Sequence, residues 1–385
     1  MRVAFYAPLK SPDHPVPSGD RRMARGFVDL LRRMGHEVEV VSAFRSYDRG
    51  GDPVRQERLA RLGARLALRL LRRLRRNPPD LWFTYHVYHK APDHLGPTIT
   101  RALDIPYVIA EPSIARRRAE GPWALGWQAA LNAMERADLL LAMTRRDRVG
   151  LAPLARRGAV IRMFPPFLDE GPLLESACHG QRMRAQIAER AGFDPTAPVL
   201  LAVAMMRADA KLRSYQLLAE TLRHLVAWRW NLLIVGDGPA RGEVERAFSP
   251  FGRRVLFLGA LGEQEVGAVY GLGDILVWPA IDEAYGMALL EAQATGVPVV
   301  ACDEGGVREI VAAERSGLLA KPRDPLSLAG ALMRLLDDPG LRHRLAEGAV
   351  RHVTRRHGVG SAARRLKRLL DDVAVARAWR EDTAG

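Results

Sequence analysis

Short apolar runs recur along this chain, each separated from the next by a stretch of helical periodicity, and this alternation constrains the fold more than any other feature. In the first half the runs are Val3–Pro8, Glu37–Ser42, Asp80–His86, Pro106–Ala110, Asp138–Met143 and Ala159–Phe164. In the second they are Val199–Ala204, Asn231–Val235, Val255–Gly259, Ile275–Trp278 and Val297–Ala301. Apolar runs of this length, with helices between them, predict parallel strands covered on both faces. The intervening helices are predicted at Arg21–Met34, Arg55–Arg76, Trp123–Arg136, Arg145–Leu154, Tyr215–Trp228 and Arg241–Phe248. Helices then fill most of the chain after Pro322: Pro325–Leu336, Leu341–Thr354 and Gly360–Ala378. Pro165-Pro166 marks an exit from the first series. Residues 168–197 carry little periodic pattern beyond Gln181–Ala191 and read as a connection. The expectation is an α/β protein of two doubly wound domains, 1–168 and 169–355, with a last helix and tail at 356–385.

With 385 residues and 48% hydrophobic content, the chain has enough apolar material for two sizeable cores. Cys178 and Cys302 stand far apart without metal-ligand spacing, which argues against a disulfide scaffold or a zinc site and fits a reducing cytosol. The run after Arg2 is too short for a signal peptide, and no apolar run approaches the ~18 residues of a membrane span, so the chain is expected neither to enter nor to cross a membrane.

Charge is distributed unevenly. Residues 1–168 hold 30 Lys and Arg against 16 Asp and Glu, whereas the remainder holds 28 of each, so the whole net charge of +14 belongs to the first half. A one-sided basic surface attracts anionic lipid, nucleic acid or a phosphorylated substrate. The Arg55–Arg76 helix sets Leu59, Leu62, Leu66, Leu70 and Leu74 beside Arg58, Arg61, Arg65, Arg69, Arg72 and Arg76. Such stripes describe either a packed leucine face beside a solvated arginine face or a surface helix lying on anionic lipid, with a peripheral membrane as partner. Nucleic acid is not expected, because aromatic residues are few and are not interleaved with the arginines as a stacking platform requires.

The most informative stretch is Trp278–Val300. A strand ends at Trp278, a loop carries Glu283, a helix opens near Gly286 and carries Glu291, and Gly296 precedes another strand. The amides of Tyr285, Gly286 and Met287 at that helix start form a potential anion site. If the segment is largely helical, the two acids lie ~12 Å apart along it, about the reach of a sugar diphosphate nucleotide. An ordinary α/β helix with two chance acids is the other reading. Gly19, at the turn between the first strand and its helix, has either a phosphate-facing role or plain turn chemistry. Two strand ends carry further candidates: His86, among Tyr85, Tyr88, His89 and Lys90, and Glu111.

Taken in order, Val235–Pro239 (VGDGP), Val255–Gly259 (VLFLG), Glu283–Glu291 (EAYGMALLE), Gly296–Ile310 (GVPVVACDEGGVREI) and Ser316–Leu319 (SGLL) resemble the nucleotide-sugar half of the family 4 (group 1) glycosyltransferases of GT-B fold. Weaker similarity at Gly35–Val38 and the Gly19 helix extends this over almost the whole chain. The resemblance implies two Rossmann-like domains facing across a cleft, with a C-terminal helix crossing back to the first. It also implies a retaining hexosyl transfer from a nucleotide sugar of unspecified base, with no bound metal. By the same resemblance Glu283 holds donor sugar hydroxyls, Glu291 holds the ribose, and Arg207 and Lys211 neutralise the diphosphate. The Arg–Lys separation is one residue shorter than the common pattern. Where many relatives carry a histidine, this chain has Glu111 followed by Pro112, so Glu111 is expected to contact the sugar or acceptor. His86 matches another commonly polar position, with a structural role and an active-site role both open. The acceptor is expected to be a lipid-linked or envelope saccharide, and the protein to work in the cytoplasm at the inner face of the membrane. A sugar-nucleotide epimerase on the same fold and a non-enzymatic polyanion binder are the alternatives. A glycoside hydrolase is disfavoured because its two acids should stand roughly 5–9.5 Å apart across one bond.

Overall fold

A computed structural model describes residues 1–16, 18–155 and 159–384. The chain divides into two compact units, Met1–Pro165 with Ala362–Gly385, and Pro166–Ser361. In the first, β1 (Arg2–Tyr6), α1 (Gly19–Arg33), β2 (Glu37–Ser42), α2 (Pro53–Leu74), β3 (Leu81–Tyr85), α3 (Gly96–Leu103), β4 (Tyr107–Ala110), α4 (Ala124–Arg136), β5 (Leu139–Ala142), α5 (Arg145–Ala155) and β6 (Val160–Met163) follow in order. The strands form one parallel sheet of order β2-β1-β3-β4-β5-β6.

The second unit opens with α6 (Glu170–Ala191) and continues β7 (Val199–Val203), α7 (Ala210–Arg223), β8 (Asn231–Val235), α8 (Arg241–Phe248), β9 (Val255–Gly259), α9 (Glu263–Leu272) and β10 (Ile275–Trp278). It then runs through α10 (Met287–Ala294), β11 (Val299–Cys302), α11 (Val307–Ile310), β12 (Gly317–Ala320), α12 (Pro325–Asp337) and α13 (Pro339–Arg356). These strands pair in parallel in the order β12-β11-β10-β7-β8-β9. The last helix, α14 (Val359–Ala384), rejoins the first unit from Ala362 and carries Arg365 over the Phe164 ring at 5.9 Å.

The predicted alternation appears as two doubly wound sheets, each reversing direction once. In such sheets the loops leaving neighbouring strands diverge at the reversal and leave a crevice at the strands' carboxyl ends. The reversal falls between β1 and β3 in the first sheet and between β7 and β10 in the second.

Helix α1 buries Met23, Ala24, Phe27, Val28, Leu30 and Leu31. Phe27 packs within 5.4–5.7 Å of the rings of Phe83, Tyr85 and Phe164, which anchors the helix start over the sheet's carboxyl edge. The opposite face is covered by α2, α3 and α4 through Ala67, Leu71, Leu74, Ile99, Ala130, Ala133 and Met134. Each fully buried Leu, Ile, Val, Phe or Met side chain here contributes roughly 1.5–3 kcal/mol before conformational entropy is counted, and each alanine less.

Several sequence expectations need correction. Helix α2 begins at Pro53, capped by Asp52, whose carboxylate accepts the Val54 amide. Its buried line is Gln56, Gly63, Ala67, Leu71 and Leu74, while Leu59, Leu66 and Leu70 are half-buried and Leu62 is 45% exposed. The leucine stripe is therefore rotated partly out of the core, because the small residues let the helix sit closer to its neighbours. The arginines of the stripe are exposed. Residues 168–197 are not a loose connection but largely the 22-residue helix α6. It packs on α9 so closely that a Cβ at Gly180 would lie 1.9 Å from the Ala268 carbonyl oxygen, and one at Gly271 equally close to that of Ala177. Backbone approach rather than large apolar side chains buries this helix, which is why its hydrophobic periodicity is weak. The Glu283–Glu291 stretch is not largely helical either: the chain runs as a loop through Asp282 and Glu283 and becomes helical only at Met287.

Candidate active site

In the second unit the candidate residues gather at the sheet reversal. After β7 the chain turns through Arg207 to Asp209, whose carboxylate caps α7 by accepting the Lys211 amide at 2.9 Å and pairs with Arg207 Nε at 3.1 Å. One short acid thus holds the Arg207 guanidinium and starts the helix that carries Lys211. Lys211 projects from the first turn of α7 onto the Glu283 carboxylate, and both side chains are 18% exposed. Its ammonium also lies 5.4 Å above the Trp278 ring, and the Trp278 indole N–H points at Glu283 Oε2 from 3.4 Å. Arg207 is 53% exposed and remains at the open side.

The loop bearing Glu283 is held by ion pairs and by unusual backbone. Ala280 and Asp282 adopt left-handed conformations (φ 59° and 51°), which non-glycine residues enter only when the surroundings enforce it. Asp282 is gripped by Arg213 at 2.6 Å and Arg323 at 3.0 Å, and Arg323 also reaches Glu304 at 2.7 Å. Glu304 in turn accepts the Asp282 amide at 3.2 Å. Gly305 lies so close that a Cβ there would stand 2.0 Å from the Glu283 carbonyl oxygen. Tyr285 is buried, Gly286 caps α10 with φ 80°, and Met287 opens the helix. The amides of that first turn lack intrahelical acceptors and carry the positive end of the helix dipole. Glu291, one turn further on, is 3% exposed and accepts the Tyr270 hydroxyl at 2.8 Å.

The first unit gathers a second set at its own reversal. Gly19 is the first residue of α1, capped by Ser18, and a Cβ placed on it would meet nothing within 4 Å. The fold's own packing therefore does not require a glycine there. Asp20, next in the same turn, contacts His86 Nδ1 at 3.0 Å. His86 and Glu111 each continue their strand's ladder by one amide, to Ala110 O (2.8 Å) and Leu141 O (3.0 Å), and then kink into left-handed conformations (φ 61° and 53°). These kinks bring both side chains to the same edge. Glu111 is 8% exposed and accepts the Tyr85 hydroxyl at 2.6 Å. Burial opposes the charge on His86, yet the carboxylates of Glu111 and Asp20 outweigh it and hold the imidazole at about 9, so it is protonated at neutral pH. Burial also raises the Glu111 carboxyl above its ordinary range, against the lowering influence of His86 and the Tyr85 hydroxyl.

The structure thus brings together Lys211, Glu283 and the α10 start in one unit, and His86, Glu111 and the Gly19 turn in the other. Arg207 stands beside Asp209, and Glu291 sits deeper than Glu283. Sequence reasoning missed Tyr270, Asp209 and the Arg213–Asp282–Arg323–Glu304 network. Tyr270 had one legible signal, a tyrosine in an apolar helix, whose hydroxyl must find a partner once buried.

The family model described as "Glycosyl transferases group 1" matches residues 197–338. Among curated proteins, alpha-D-kanosaminyltransferase of Streptomyces kanamyceticus is 27% identical over 272 residues, 70% of this chain and 69% of that one. D-inositol 3-phosphate glycosyltransferase of Xylanimonas cellulosilytica is 30% identical over 59% of this chain, and the match spans 55% of that protein, little more than half its length. Among solved structures, sucrose-phosphate synthase from Thermosynechococcus elongatus superposes with a TM-score of 0.73 at 18% identity, covering 98% of this chain and 100% of that one. Anabaena HepE, solved in complex with UDP and glucose, superposes with a TM-score of 0.70 at 18% identity, covering 96% and 99%. The two doubly wound units are those of the GT-B fold, and residues 197–338 of the second match the model of the group 1 glycosyl transferases.

Proposed function

We propose that this protein transfers a hexosyl group from a nucleoside-diphosphate sugar to an acceptor hydroxyl, with retention of anomeric configuration. The observation that carries the reading is the meeting of Lys211 and Glu283 at the β7/β10 reversal, directly ahead of the α10 start. A carboxylate suited to sugar hydroxyls, an ammonium suited to phosphate, and first-turn amides lie within one short stretch, as an activated sugar requires. The UDP complex of HepE and the sugar-transferring relatives agree with this donor class.

In this reading Glu283 binds the donor sugar, Glu291 the ribose, and Arg207, Lys211 and the Tyr285–Met287 amides the diphosphate. As the anomeric C–O bond breaks, negative charge collects on the departing phosphate and is met by Arg207 and Lys211. The acceptor oxygen attacks the anomeric carbon on the face the phosphate leaves, and its proton passes to a phosphate oxygen. On the first unit, Gly19 leaves room at the α1 start, while His86, held cationic, and Glu111 orient the sugar or the acceptor. No residue in this scheme calls for a metal.

The acceptor we propose is a lipid-linked or envelope saccharide met at an anionic membrane face. Exposed arginines along α2 and the excess charge of the first half support it, at roughly 1 kcal/mol per basic side chain near an anionic surface. Among the described residues no helix is long and apolar enough to cross a membrane. Co-sedimentation with anionic vesicles at low salt, lost at high salt, is expected, and equal negligible binding to neutral and anionic vesicles would remove the membrane part. A thermal-shift screen of nucleotide sugars tests the donor part, since a ligand at 100 times its Kd adds about 2.7 kcal/mol. Release of nucleoside diphosphate only when acceptor is present separates a transferase from an epimerase.

A further inference from the structure

Beneath the first turns of α2 the first unit has a partly open cavity of about 180 Å³ that the donor reading does not use. Leu59 and Ala60 of α2, Leu125 and Ala129 of α4, and Pro92 form its apolar walls. Asp48 lies at its side, but its oxygens are taken by the Gly50 and Asp52 amides and by Gln56, with Arg55 at 3.8 Å. Glu57, on α2, and the polar Ser46 and His94 also line the cavity, and the edge formed by His89 and Lys90 is basic. Lys90 lines the cavity, and its ammonium and the Arg118 guanidinium both lie over the Trp123 ring, at 5.0 and 4.6 Å. His89, on the same edge, is kept neutral, with its imidazole lowered to about 4 by burial and by the charges of Arg118, Lys90 and Arg117. Its Nε2 is buried with no hydrogen-bond partner among the described residues.

An apolar cavity with cations at its mouth fits a molecule with an apolar body and an anionic head. The size sets a limit, because an apolar cavity of about 150 Å³ already accommodates a benzene ring. About five or six carbons therefore fit here, which is one isoprene unit rather than a whole lipid tail. We infer that this cavity receives the isoprene unit nearest the phosphate of a polyprenyl-phosphate-linked acceptor, with the phosphate held at the Lys90–Arg118 edge. The inference rests on the transferase reading and names its acceptor class. Leu125, 46% exposed, extends the apolar wall to the surface.

The test is binding of farnesyl phosphate to the full chain by calorimetry, beside farnesol and inorganic phosphate. Farnesyl phosphate is expected to bind at least tenfold more tightly than either partial ligand. Ala60→Phe, which fills the cavity from its half-buried wall, should weaken that binding about a hundredfold, since each buried methylene is worth roughly fourfold in affinity. Lys90→Gln should weaken farnesyl phosphate but not farnesol. Because both variants lie in the first unit, an unchanged cooperative thermal unfolding profile and far-UV circular dichroism spectrum of the full chain serve as the folding control. Equal binding of farnesyl phosphate and inorganic phosphate, or binding unchanged in a folded Ala60→Phe protein, would overturn the inference. Binding that survives Ala60→Phe and vanishes at high salt would also overturn it, as adsorption to the α2 arginines. Cavity-dependent binding of farnesyl phosphate in a protein that binds no nucleotide would instead sustain the cavity and count against the transferase reading.

Discussion

Lys211 and Glu283, 72 residues apart in the chain, form a partly buried ion pair that joins the helix after β7 to the loop after β10. Each holds the other's charge in place where water is partly excluded, and neither reaches the site without the strand order that makes β7 and β10 neighbours. A sugar diphosphate entering here would exchange this internal pair for contacts of its own.

That exchange leads to the first expectation. Replacing Lys211 or Arg207 by Met should lower kcat by more than it raises KM, by roughly 10²-fold or more, because leaving-group charge is greatest in the transition state. A change confined to KM in both variants would remove the leaving-group role.

The two acids should separate binding from turnover. Glu291→Ala is expected to weaken nucleoside diphosphate binding about tenfold or more, and Tyr270→Phe, which removes the hydroxyl that orients Glu291, by less. Glu283→Ala should leave diphosphate binding within a few-fold and abolish most turnover with the complete donor. Unchanged diphosphate affinity in both alanine variants, together with surviving activity, would contradict the assignment.

Gly19→Ala tests whether a ligand approaches the α1 start. No atom of the protein would touch the new methyl group, and alanine is the better helix former, so the melting temperature should hold or rise slightly. Activity should nevertheless fall at least tenfold, through KM for the donor. Full activity in Gly19→Ala would place the ligand elsewhere.

His86 predicts a pH dependence of stability. Its folded pKa, about 9, lies above the ordinary 6.5, so the contribution of its contacts is fully present below pH 6.5 and is lost as pH rises through 9. The difference between the two values corresponds to about 3 kcal/mol. Thermal or urea unfolding of the parent and of His86→Gln should therefore show a stability gap at pH 6 that closes towards pH 9.5. A gap independent of pH would mean that His86 is neutral in the folded protein.

Much of the architecture was legible in the chain itself. Parallel strands buried on both faces must be apolar throughout, so β5, β10 and β11 stand out as short runs. Helix starts are written in local chemistry, as at Asp52, Asp324 and Asp338, whose side chains accept first-turn amides. The spacing of Glu283, Gly286 and Glu291 was equally local, but by itself it left an ordinary helix with two chance acids open, and the donor roles of these residues came from the family resemblance.

Tertiary structure decided what meets what. Asp20 and His86 are 66 residues apart and touch because β1 pairs with β3, a choice of strand order that no local pattern records. The same holds for Tyr270 on Glu291 and for the Arg213–Asp282–Arg323 clamp, since charged and hydroxyl groups find partners by position in the fold rather than by period. Helix α6 escaped the sequence reading for a related reason: glycine and alanine bury it by letting two backbones approach, so little of its stability is expressed as the large apolar side chains from which periodicity is read. By itself the sequence determined the layers and the acid spacing, because those depend on neighbours within a turn or a strand. The pairings that make a site depend on sheet order and close packing, and only the folded chain supplies them.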